Sequence, residues 1–110
     1  MTLDIRKTAT KDLENVAALW NDGDTMRFVG FPEGLGVTIE TLHGWLKKIN
    51  GTPYTEHFSI YETDLGYCGE TFYSADDRHR LAALDIKLFK KSRGKGIAKK
   101  ALKHAILRAF

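Results

Sequence analysis

Lys91-Ser92-Arg93-Gly94-Lys95-Gly96-Ile97-Ala98-Lys99-Lys100 packs two glycines, five cations and the onset of a helical apolar period into one short stretch. Glycine lacks a Cβ, so Gly94 and Gly96 let the main chain turn sharply and approach a bound group closely. A helix that starts here offers unpaired N–H groups and the positive end of its dipole, a combination suited to a phosphate. The stretch reads as an anion cradle. It is not a Walker A loop, which needs Gly-Lys-Ser/Thr after four intervening residues. Nor is it a dinucleotide fingerprint, because Lys99 occupies the place of the third small residue.

Outward from the cradle, Leu81-Ala82-Ala83-Leu84-Asp85-Ile86-Lys87-Leu88-Phe89 is an apolar-rich run of strand length leading into the loop. On the other side, Ile97, Ala98, Ala101, Leu102, Ala105, Ile106, Ala109 and Phe110 recur at helical spacing, opposite Lys99, Lys100, Lys103 and Arg108. Residues 87–110 carry nine Lys or Arg and no acid, whereas residues 1–86 carry eight bases against fourteen acids, so the net charge of +3 conceals a strongly basic tail. Such a tail suits a nucleotide-like or polyanionic ligand, although a solvated helix face has the same composition.

The remaining chain fits one domain with a modest core, 43% of its residues being hydrophobic. Leu3-Asp4-Ile5-Arg6 alternates as a half-buried strand, and Thr8-Ala9-Thr10 offers hydroxyls to cap a helix whose buried stripe is Leu13, Val16, Ala17 and Trp20. Residues 21–37 read as a glycine-punctuated loop whose Phe28, Val29, Phe31 and Leu35 either line a pocket or patch the core. Thr38 caps a second helix with the stripe Leu42, Trp45, Leu46 and Ile49, stopped by Asn50-Gly51. Phe58–Glu62 and Tyr67–Tyr73 read as a hairpin about the turn 63–66, and residues 74–80 as a polar turn. The expected order is β-α-α-β-β-β-α.

The lone Cys68 makes no internal disulfide and reads as a small core residue. No apolar run reaches the length of a membrane span and no signal-peptide core is present, so the default setting is cytoplasmic. His43, His57, His79 and His104 show no ligand-like spacing with carboxylates, so no metal is expected.

The pattern Arg93-x-x-Gly96-x-Ala98, between a strand and a helix, resembles the Gln/Arg-x-x-Gly-x-Gly/Ala signature of the GNAT superfamily of acetyl-CoA-dependent N-acetyltransferases. The resemblance implies an α/β (α+β) fold with a mostly antiparallel sheet, of which residues 1–110 form a single incomplete domain, the N-terminal portion. It implies acetyl-CoA as cosubstrate, with Arg93, Gly94, Lys95, Gly96, Ile97, Ala98 and Lys99 holding its pyrophosphate. The main chain of Ile86, Lys87 and Leu88 would pair with the pantetheine arm as an added strand does. The same three residues also serve as ordinary core strand.

Acetyl transfer needs a neutral amine, and Glu70 is the best available base candidate, its burial in an apolar strand being expected to raise its pKa. Ala83 and Asp85 stand where the family often has glutamate and glycine. The implied acceptor is an amine of a small molecule or a protein N-terminus. The apolar loop with Trp45 nearby is similar to the branch of ribosomal-protein and polyamine acetyltransferases. The chain stops within the helix after the loop, before the fifth strand and tyrosine-bearing segment usual in these enzymes. It is therefore expected to be a fragment with impaired activity, and its open sheet edge and apolar helix end are consistent with a homo-dimer. A basic-helix module for nucleic acid or an acidic partner is the alternative, disfavoured because aromatics do not interleave the lysines. A structural remnant that binds cofactor poorly is a third.

Overall fold

The computed structural model describes residues 2–76 and 81–109. Its elements are β1 (Leu3–Lys7), α1 (Leu13–Trp20), a helical turn α2 (Gly23–Met26), α3 (Ile39–Asn50), β2 (Thr55–Glu62), β3 (Gly66–Asp76), β4 (Leu81–Leu88) and α4 (Ile97–Ala109). The strands form a four-stranded sheet in the order β1-β2-β3-β4. Every neighbouring pair is antiparallel. The order expected from the sequence is therefore present, with α2 added. Among the described residues no helix is long and apolar enough to cross a membrane.

Residues 21–37 are less loop-like than their glycines suggest. Thr25 Oγ1 donates to Asp22 Oδ2 at 2.6 Å and the Met26 N–H to the Asp22 carbonyl at 2.9 Å, which nucleates α2 and buries Thr25 and Met26. A 3-10 turn, Arg27–Val29, follows and ends at Gly30, whose φ of 97° suits glycine. Asn21 fastens the rest of the segment, its side chain bonding both the N–H and the carbonyl of Val37. The described part of the expected 74–80 turn extends β3 to Asp76, and residues 77–80 lie outside the described residues.

Helix capping follows the sequence at one site and departs from it at another. Thr38 Oγ1 accepts the Thr41 N–H at 3.2 Å, capping α3. Before α1, however, the Asp12 carboxylate takes the Ala9 N–H at 2.8 Å, and Thr8 turns its hydroxyl into the sheet. Tertiary partners outbid a local cap there.

The sheet divides the molecule. On one face α4 lies against Ile60, Cys68 and Leu88 through Ile97 and Ala101, with Leu3, Ile5 and Ile86 closing the cluster. The buried stripe of α4 is narrower than its sequence suggests. Ile97, Ala101 and Ala105 are inside, whereas Ile106 is 44% and Leu107 71% exposed. Small alanines bring that one stripe close to the sheet, and the neighbouring large residues fall outside the contact. On the other face α1 and α3 pack on each other through Leu13, Val16, Ala17, Leu42 and Leu46. The strands beneath them present mainly polar side chains.

Candidate active site

β4 ends the sheet order, so its outer main chain has no strand partner among the described residues. Its inner side is pressed so tightly against β3 that a Cβ on Gly69 would lie 2.0 Å from the Lys87 carbonyl oxygen. This contact sits at a bulge where Ile60 pairs with Gly69 but Tyr61 with Tyr67, leaving Cys68 as the extra residue. The thiol of Cys68 is buried in the core, as its sequence context suggests.

Past a 3-10 turn, Lys90–Ser92, the chain enters the glycine loop. Gly94 and Gly96 adopt φ of 75° and 78°, and no atom lies within 4 Å of a Cβ built on either. The requirement for glycine here is conformational, and the space over the loop is open. The N–H groups at the first turn of α4 have no intrahelical acceptor, the Lys100 N–H being bonded to the Gly96 carbonyl at 3.4 Å. Ser92, the last residue of the preceding 3-10 turn, is fully buried, and its hydroxyl has no hydrogen-bond partner among the described residues.

A recess of about 180 Å³ runs along β4 at Ile86, Lys87 and Leu88, with Arg93 at one end and Phe28 and Val29 across from them. Arg93 Nε donates to the Leu88 carbonyl at 3.1 Å, and its guanidinium stands 5.2 Å from the Phe28 ring centroid. The apolar loop thus forms a wall of a recess. Of the loop residues expected to hold an anion, Gly94, Gly96, Ala98 and Lys99 surround the open start of α4. Lys95 turns to a separate hollow with Glu62 and Asp64, and the Ile97 side chain is core.

Lys87 also borders a second recess, of about 160 Å³, on the α1/α3 face of the sheet. Sheet register puts Ser59, Glu70 and Lys87 side by side, with His57, Phe72 and Asp85 in the adjoining row. Trp20 and Trp45 close over them, edge to face with 4.9 Å between ring centroids, and Trp45 is 4.8 Å from the His57 ring. Glu70 is buried at the base, where Oε1 accepts Trp20 Nε1–H at 2.5 Å and Oε2 lies 3.6 Å from Lys87 Nζ. The Lys87 ammonium is held from its other side by Asp85 Oδ2.

These partners reverse the titration expected for Glu70. Burial alone pushes its carboxyl up, but His57, the Lys87 ammonium and the Trp20 N–H together outweigh that effect and hold it below the usual carboxylate range. Lys87 shows the counterpart. Burial lowers it, Glu70 and Asp85 raise it, and the net direction is upward. Glu70 is consequently a buried anion with weak basicity.

His57, which lines this recess, and Thr8, which bonds to it, are candidates that sequence reading leaves out. His57 Nδ1 shares a 2.7 Å hydrogen bond with Thr8 Oγ1, which in turn meets Ser59 Oγ at 2.7 Å. His57 Nε2 is 3.0 Å from Glu70 Oε1 but poorly aligned with it, so the contact is electrostatic and the nitrogen has no directional hydrogen-bond partner among the described residues. The period-2 pattern of β2 could have put His57 on the same face as Ser59. It could not have shown that Glu70, on another strand, lies opposite.

The family model described as acetyltransferase (GNAT) domain matches residues 2–110. The chain belongs to the GNAT acetyltransferase family. The fold of this GNAT chain is shared with spermidine N-acetyltransferase from Vibrio cholerae in complex with CoA and spermine, at TM-score 0.82 and 20% identity over 98% of this chain and 63% of that one. A GNAT-family acetyltransferase from Streptococcus pneumoniae gives 0.77 and 24%, over 98% and 67% of the two chains. A phosphinothricin acetyltransferase from Sinorhizobium meliloti in complex with AcCoA gives 0.78 and 20%, over 99% and 60%. The GNAT chain thus spans roughly three-fifths to two-thirds of the length of these structures. A search of curated proteins with its sequence finds no match.

Proposed function

We propose that this chain transfers an acetyl group from acetyl-CoA to an amine. The observation that carries the reading is the edge of β4, unpaired among the described residues, running into a positive-φ glycine loop at a helix start, with an aromatic and carboxylate-lined recess reached across Lys87. Residues at hand suit the cosubstrate. The first-turn N–H groups of α4, Arg93 and Lys99 would take its pyrophosphate, Lys95 adding charge nearby, and the Ile86, Lys87 and Leu88 main chain would pair with its amide-bearing arm. Bound there, acetyl-CoA supplies an activated thioester. The amine nitrogen would bond to the acetyl carbon, the carbon–sulfur bond would break, and the proton lost by the amine would end on the departing thiolate, giving an amide and CoA thiol. Glu70 serves as a fixed negative charge beside the reacting amine, a role that matches its burial and partners better than that of a strong base.

Calorimetric titration with CoA tests the reading. Saturable binding is expected, lost in Gly96→Val because a branched residue is strained at positive φ. Arg93→Ala and Lys99→Ala should each weaken binding severalfold, more at low salt than at high. CoA binding that ignores Gly96→Val would overturn the assignment. A short DNA duplex that binds more tightly than CoA would favour the basic-helix alternative.

A further inference from the structure

Thr8 Oγ1 stands between two partners, His57 Nδ1 at 2.7 Å and Ser59 Oγ at 2.7 Å. A hydroxyl has a single proton, so Thr8 donates to one of them and accepts from the other. Two polarities follow. In the first, Ser59 donates to Thr8 and Thr8 to a bare Nδ1. In the second, a protonated Nδ1 donates to Thr8 and Thr8 to Ser59. The opposite edge of the ring decides what each requires. His57 Nε2 lies 3.0 Å from Glu70 Oε1, and the same carboxylate takes the Trp20 N–H and faces the Lys87 ammonium, two contacts suited to its anion. A lone pair on Nε2 would be pressed against the lone pairs of that carboxylate, whereas an N–H there is attracted to it. Nε2 therefore carries a proton in both polarities, and the second polarity belongs to the imidazolium alone.

We propose that Thr8 and Ser59 are positioning residues that fix His57 with its Nε2–H towards Glu70, and that the imidazole takes its second proton at Nδ1, on the side away from the recess, where the two hydroxyls reverse to receive it. The main chain keeps the group together, since the Thr8 N–H donates to the His57 carbonyl at 2.8 Å. The ring is also confined, its centroid 6.4 Å from that of Trp20 and 4.8 Å from that of Trp45. Around it, β3 contributes the charge of Glu70 and β4 those of Lys87 and Asp85, while α1 and α3 present the two tryptophan rings. The Tyr67 phenol, on the Ser59 side, is kept protonated by its burial and by the Glu70 charge, so it adds no charge of its own. The inference rests on the acetyltransferase reading for its purpose. The one imidazole lining the recess has its titrating lone pair behind Thr8, so it is not the base that takes the proton of the acceptor amine. Its work is to hold Glu70 in place, and acidification adds a positive charge beside that carboxylate without turning the ring.

Correlation NMR of the imidazole nitrogens tests this with no cosubstrate present, the signals of His57 among the four histidines being assigned by their loss in His57→Gln. Nε2 should carry a proton at every pH at which the protein is folded, with Nδ1 bare at the alkaline end and protonated at the acid end. A neutral form with Nδ1–H and a bare Nε2 would overturn the assignment, and an imidazole that keeps one form throughout would overturn the change at Nδ1. Thr8→Val removes the group that receives the Nδ1 proton, so uptake of the second proton should move about one pH unit lower than in the wild type. Thr8→Ser restores the hydroxyl and should restore most of the midpoint. An unchanged midpoint in folded Thr8→Val, or a Thr8→Ser midpoint displaced as far as that of Thr8→Val, would remove Thr8 from its role. Should Thr8→Val not fold, Ser59→Ala decides. Without Ser59 to accept it, the Thr8 proton stays aimed at Nδ1 and the midpoint again falls, and an unchanged midpoint sinks the proposal. CoA calorimetry and these spectra fail independently, which separates loss of this arrangement from loss of the transferase reading.

Discussion

The two faces of the sheet solve different problems. Against α4, Ile60, Cys68, Leu88, Ile97 and Ala101 make an apolar contact whose energy scales with area and fit. Beneath α1 and α3, Thr8, His57, Ser59 and Glu70 are equally buried but polar, and named partners hold them, His57 by its Nδ1. The comparison teaches where chemistry can be housed. A face held by volume tolerates no charge, whereas a face held by paired polar groups can keep an ionised carboxylate beside a cavity.

Removing volume from the apolar face should do the most damage. Ile60 is fully buried, and Ile60→Ala should lower unfolding free energy in urea by about 3 kcal/mol. A loss below about 1 kcal/mol would mean that this face is not the principal core. Glu70→Gln changes almost no volume on the other face but withdraws the charge shared by Trp20, His57 and Lys87, for an expected loss of about 2 kcal/mol.

The same substitution sharpens the comparison through pH. The folded-state pKa of Glu70 is depressed, so its stabilisation is complete above the ordinary carboxylate range and disappears as pH falls through the folded value. Wild-type stability should therefore fall more steeply than that of Glu70→Gln below about pH 4, and parallel curves would break the claim. The smallest contrast pairs two near-isosteric changes. Thr8→Val, which strips His57 Nδ1 and Ser59 Oγ of a shared hydroxyl, should cost about 1–2 kcal/mol. Cys68→Ala on the apolar face should cost about 1 kcal/mol or less, readable as a small shift in urea midpoint.

What could be read from the chain was local and periodic. The alternation Leu3-Asp4-Ile5-Arg6 announces a strand with one buried side, and Thr38 announces the start of α3, because each depends on neighbours a few residues away. The glycine loop is legible for the same reason, positive φ at Gly94 and Gly96 being a demand the backbone makes on residue type. Thr8 was misread as a cap because a hydroxyl near a helix start satisfies the local rule, while the partners that claimed it are 49 and 51 residues distant. Glu70 was singled out as a carboxylate within an apolar strand, but its titration was read in the wrong direction. Burial is visible in an apolar strand, whereas Trp20, His57 and Lys87 arrive from three other elements.

By itself, then, the amino-acid order determined the succession of elements, the basic glycine turn and the membership of a family, since periodicity, turn chemistry and signature spacing are properties of neighbouring residues. Tertiary structure alone decided that β2, β3 and β4 align Ser59, Glu70 and Lys87 in one row and His57, Phe72 and Asp85 in the next. Strand register joins residues far apart in the chain through hydrogen bonds that no short segment encodes, and the recess under Trp20 and Trp45 exists only once that register is set.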